Sequence, residues 1–177
     1  HHALRDRRLN LSAGVLSVAI ALILVGLKFW ALQQTGALSI AATLADSAMD
    51  LLVSLGGLIA IAYAARPADQ DHPFGHTSAE DLAALLQALV IAGSAITIIV
   101  AAVQRLLAPT APVLQDETTG MVVLAASVVL TLGLVLWQRF VARTTGNKVV
   151  AADSLHYIGD LIPNIAAIAA LALSVFW

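Results

Sequence analysis

Asp46 and Asp50 stand four residues apart in a run that is otherwise apolar from Ala37 to Ala65. At 3.6 residues per turn the two share one helix face. Like charges so placed repel each other. In hydrocarbon each also carries a desolvation cost, so the pair is a functional candidate that a cation or protons would stabilise. His156 and Asp160 repeat the same spacing in a second apolar run. One imidazole and three carboxylates form a four-ligand N/O set, which suits tetrahedral zinc and tolerates cadmium, iron or cobalt. A purely structural cluster holding membrane helices together normally uses Ser, Thr, Asn or Gln. Four ionisable groups in two matched pairs point instead to a metal or proton site. The chain contains no cysteine, which excludes thiolate ligands and disulfides.

Two neighbours of the second pair carry open readings. Asp153 precedes His156 by three residues and so lies on the same face. It either orients the His156 ring from behind the ligands or sits favourably near a helix N-terminus. Pro163 lacks an N–H and frees the carbonyl of Gly159. That makes either a kink beside the site or a tolerated membrane proline.

A third constellation is Asp69, Asp71, His72 and His76, turned by Pro73 and Gly75. As ligands they would bind zinc at the membrane surface. As a short His/Asp cluster they also read as a solvated polar loop.

The elements that must position these residues are membrane helices. The chain of 177 residues is 60% hydrophobic and 11% charged, against about 25% charged in a soluble domain, and its mean hydropathy is +0.91. The pattern predicts an all-α membrane protein with five transmembrane helices, at about 11–32, 37–65, 79–107, 118–140 and 149–177. Arg66-Pro67 ends the second. Thr77 or Ser78 caps the third, with Glu80 and Asp81 in its first turn. Lys28 lies near the end of the first and is expected to snorkel outward. Trp30, Trp137 and Trp177 read as interfacial anchors. The whole of 1–177 reads as one transmembrane transport domain, with no clear internal repeat. The net charge of −2 gives no footprint for nucleic acid.

Arg5, Arg7, Arg8, Arg66, Arg139, Arg143 and Lys148 fall on one side of the bilayer, and Arg105 on the other. This asymmetry predicts a cytoplasmic N-terminus. Counting 1.5 Å per residue through a core of about 30 Å places Asp46 and Asp160 at about 14 and 13 Å from the outer surface, and Asp50 and His156 at about 20 and 19 Å. The two pairs are therefore expected to meet.

Asp46-x-x-x-Asp50, His156-x-x-x-Asp160 and the Asp-His-Pro-Phe-Gly-His loop at 71–76 resemble the cation diffusion facilitators, most closely bacterial YiiP-like zinc/proton antiporters. The resemblance runs from the first helix through the fifth. It implies a bundle of six transmembrane helices followed by a cytoplasmic ferredoxin-like domain, acting as a homodimer. On that comparison five of six helices are present, and the sixth and the C-terminal domain are absent. The resemblance makes Asp46, Asp50, His156 and Asp160 the transport site, and Asp69, His72 and His76 a loop site. A lysine that joins a dimer charge interlock in YiiP-like members is Ser78 here, so that contact does not carry over.

The function so implied is a multi-pass secondary transporter of the inner (plasma) membrane, exporting a divalent metal, zinc first, in exchange for protons. Metal ligands must be deprotonated to bind, which links the two fluxes. No bond is made or broken, so no enzyme activity is expected. Two other readings are a proton-coupled exporter of organic cations, which has no use for His156, and a non-transporting membrane metal sensor.

Overall fold

The computed structural model describes residues 2–35, 38–71, 73–109 and 117–176. These form α1 (His2–Thr35), α2 (Leu38–Ala64), α3 (Ser78–Leu107), α4 (Glu117–Thr145) and α5 (Lys148–Phe176). Among the described residues, α1 to α4 each hold a stretch long and apolar enough to cross a membrane. The 29 residues of α5 span about 43 Å at 1.5 Å per residue. The protein is an all-α membrane protein.

Two helices run beyond the expected limits. α1 begins at His2 rather than near Leu11 and ends at Thr35, so Gln33 to Thr35, past the expected end near Leu32, are helical. α4 continues past Phe140 to Thr145. Apolarity marks where a helix leaves hydrocarbon, not where it stops. Ala, Leu and Arg propagate a helix as well in water as in lipid, and the first nine residues are rich in them.

Chain direction reverses sharply where local chemistry requires it. Gly146 has φ +69 and donates its N–H to the Ala142 carbonyl at 2.8 Å, the left-handed cap that glycine adopts without steric cost. Asn147 follows, and its Oδ1 accepts from the Val150 N–H at 3.0 Å as the N-cap of α5. A two-residue link therefore sets α4 and α5 antiparallel.

α1 packs against α2 on one side and α4 on the other, while α3 lies against α2 and α5. Small residues bring the backbones close. A Cβ on Gly14 would stand 2.9 Å from Leu58 Cδ1, and one on Gly57 would stand 3.1 Å from Gln87 Nε2. The apolar core has two parts. Ala13, Ile61, Val141, Val149 and Val150 form one. Ile20, Leu24, Leu134, Val135 and Tyr157 form the other. Large side chains such as Leu82, Leu85, Leu89, Ile96 and Ile99 of α3 face outward, as lipid contact requires.

Candidate metal centre

α2 and α5 bring their acidic faces together at mid-length. His156 Nε2 lies 2.7 Å from Asp50 Oδ1 and 3.7 Å from Asp160 Oδ2. One ligand atom from each of Asp50, His156 and Asp160 lies within 4.8 Å of the others. His156 is buried, and Asp50 and Asp160 are half-buried. Two ligands on tetrahedral zinc, each about 2.1 Å from the ion, stand about 3.4 Å apart. The His156–Asp160 spacing already suits that geometry. The 2.7 Å His156–Asp50 contact is a hydrogen bond, and it must widen by about 0.7 Å to admit an ion in place of the shared proton.

The expected four-ligand set is thus only three-quarters assembled. Asp46 is exposed and falls outside the cluster of three. It does line the same cavity, of about 260 Å³, together with Asp50, Asp160, Ser47, Tyr157 and Lys28. Helical spacing fixes which face a side chain leaves, but not how far along that face its rotamer carries it.

Asp153 and Lys28 find their partners across the bundle. Asp153 does not orient the His156 ring through a hydrogen bond. Its Oδ2 accepts from Ser17 at 2.6 Å and from Gln138 Nε2 at 2.6 Å. Ser17 Oγ is also 2.8 Å from Ser54 Oγ, which is 2.8 Å from the Tyr157 hydroxyl. Each hydroxyl has one proton, so Ser17, donating to Asp153, accepts from Ser54, and Ser54 accepts from Tyr157. Position i−3 lies about 60° around the helix from position i, enough to turn Asp153 toward α1 and α4 instead of α2. Lys28, expected to snorkel, instead reaches across from α1 to α2. Its Nζ donates to Ser47 Oγ at 2.7 Å and lies 3.4 Å from the Thr43 carbonyl.

In the loop between α2 and α3, His76 is buried, with its Nε2 3.4 Å from Asp69 Oδ2. Its ring meets Tyr63 edge-on at 4.7 Å between centroids. Asp69 Oδ1 accepts from the Asp71 N–H at 3.1 Å. His72 lies outside the described residues, so the structure joins two of the three expected loop ligands.

Sequence reasoning missed Lys28, Ser17, Ser54, Gln138 and Tyr157 as parts of polar networks. A signal was available for Lys28 and Gln138, because a long polar side chain within an apolar membrane helix must find a partner. The serines give no comparable signal.

Residues 14–177 match the family described as the cation efflux transmembrane domain. The chain belongs to the cation efflux family. Among its curated relatives is the cation-efflux pump FieF of Cronobacter sakazakii, 41% identical over 94% of this chain and 55% of that protein. The pumps of the same name from Klebsiella pneumoniae and Pectobacterium carotovorum are 42% and 43% identical over the same shares. The chain thus spans about half the length of the relatives it matches. The family resemblance read from the residue pairs is confirmed by these matches, and the metal-competent cluster lies inside the matched cation efflux domain.

Proposed function

We propose that this chain is the membrane part of a secondary transporter that exports a divalent metal, zinc first, in exchange for protons. The observation that carries the proposal is the convergence of Asp50, His156 and Asp160 from two membrane helices. The relatives' common name, cation-efflux pump, supports export of a cation. Asp46 is the fourth ligand, reached by a rotamer change from the wall of the same cavity. A nitrogen with three carboxylates favours zinc, with cadmium, iron and cobalt as competitors.

The coupling follows from shared atoms. His156 Nε2 and Asp50 Oδ1 hold one proton between them when hydrogen-bonded, and both must lose it to bind metal. Metal and proton therefore exclude each other at the same pair. If the site opens alternately to each side, metal leaves as protons enter. α5, carrying both His156 and Asp160, moves with the ligands, and Pro163 within it is the place to bend.

The same reading places the N-terminus in the cytoplasm of an inner membrane and a homodimer as the working unit. Asp69, His72 and His76 form a second, cytoplasmic zinc site of entry or regulation. The test is uptake of radioactive zinc into everted vesicles, with and without an imposed pH gradient. Zinc accumulation that collapses with the gradient supports the proposal. Accumulation of an organic cation without zinc, or no transport at all, rejects it.

A further inference from the structure

Lys28 is a positive charge inside the cavity that is to receive a positive ion. Its ammonium bonds to Ser47 and approaches the Thr43 carbonyl, two α2 positions that bracket Asp46. It shares the cavity wall with Asp46, Asp50 and Asp160. It also lines an adjoining cavity of about 200 Å³ with Thr43, Gly120, Ser127 and Asn164. Gly120 is near the start of α4 and Thr43 near the start of α2, at the end of the bundle opposite the loop at 65–77. Lys28 therefore stands between the three-residue cluster and that end.

We propose that Lys28 is a tethered counter-cation of the metal site, which weakens metal retention and speeds release toward that end of the bundle. This rests on reading Asp50, His156 and Asp160 as the metal site. Lysine is a compact point charge on a flexible stem, and charges inside a membrane bundle pair with one another. In the emptied site the ammonium offsets the repulsion among the carboxylates. In the filled site it repels the ion, and the repulsion is stronger than in water because the surroundings are less polar. One fixed charge thus favours the empty state over the filled one, as efficient discharge requires.

The experiment measures zinc affinity by chelator competition, and zinc release by stopped flow, on the whole chain in detergent. The background carries Asp69→Ala and His76→Ala to silence the loop. Lys28→Met is expected to tighten zinc at least tenfold, mainly through slower release. Lys28→Arg, which keeps the charge, and Ser47→Ala, which removes the hydrogen bond but leaves the charge, are expected to stay within threefold of the background protein. Equal or weaker binding in Lys28→Met overturns the proposal. So does an equal tightening in Ser47→Ala, because the hydrogen bond and not the charge would then be the cause. Asp50→Ala in the same background separates the two levels. If it leaves zinc affinity unaltered, the site assignment fails and the Lys28 proposal with it. If it abolishes binding while Lys28→Met changes nothing, only the Lys28 proposal fails.

Discussion

Asp153 and Asp160 sit on the same helix, α5, two turns apart, and their partners differ in kind. Asp153 is buried and takes its hydrogen bonds from neutral donors, Ser17 of α1 and Gln138 of α4. Asp160 and Asp50 are half-buried and surround an imidazole beside a cavity. Neutral donors fixed on neighbouring helices hold a carboxylate in one place and leave no room for an ion. An imidazole that bridges two carboxylates can surrender its proton and admit a metal in the same space. The same side chain is therefore an anchor in one turn of α5 and, in the function proposed above, a ligand two turns later, and the surrounding donors decide which.

The largest expected effect tests the ligand half of that contrast. Asp50→Ala removes the group that shares a hydrogen bond with His156. The remaining ligands hold too little charge to offset the desolvation of a divalent ion. Calorimetry on a protein lacking the loop ligands should show zinc binding at this site lost, with the thermal midpoint in detergent little changed. Retained affinity would move the metal site elsewhere.

The anchor half makes the opposite forecast. Asp153→Asn keeps the shape but replaces one acceptor oxygen by a donor facing Gln138 Nε2 or Ser17. Charge-assisted bonds of this kind contribute about 1.5–3 kcal/mol each. The thermal midpoint should fall clearly, while zinc affinity per folded molecule stays within a few-fold. A change in affinity without loss of stability would erase the distinction between the two aspartates.

The helices were legible in the sequence because their apolar runs end at polar turns. α2, α3 and α5 begin and end within one residue of expectation. The overruns of α1 and α4 were not legible, because nothing in hydropathy separates helix in water from loop in water. The Asp50–His156–Asp160 cluster was legible because i, i+4 spacing and depth are both counted in residues. The place of Asp46 outside the cluster was not, since i, i+4 spacing fixes a face and not how far a side chain reaches. The anchor around Asp153 was hidden for a different reason. Ser17, Ser54, Gln138 and Tyr157 lie on four different helices, and only packing brings them together.

Selectivity gives a smaller and sharper effect within the metal centre. His156 is the one nitrogen in the proposed ligand set, and imidazole favours zinc over harder ions that prefer oxygen. His156→Asp should lower discrimination of zinc against manganese in parallel flux measurements. A metal binds only the neutral imidazole, so zinc affinity of the parent should rise with pH as His156 gives up its proton. In the variant the part of that rise due to the imidazole should be lost. An unchanged zinc-to-manganese ratio with the same pH profile would make His156 a strut between α2 and α5.

The smallest effect on transport is expected at the loop. His76 is buried against Tyr63 and paired with Asp69, so this pair, like the membrane cluster, combines an imidazole with a carboxylate. Its setting differs. Asp69 is exposed, and the segment between α2 and α3 is not confined between two membrane helices. An ion there exchanges with water without a change in the bundle, which suits capture or regulation more than translocation. Replacing His72 and His76 together by alanine should leave gradient-driven zinc flux measurable in everted vesicles, while the maximal binding stoichiometry falls. Replacing Asp46 or Asp50 should abolish flux in the same assay. If the loop variant is as inactive as the Asp46 variant, the loop belongs to the path of the ion. Two His-carboxylate pairs in one chain would then be successive stations on a single route, and burial between helices would not be what distinguishes a transport ligand from a surface one.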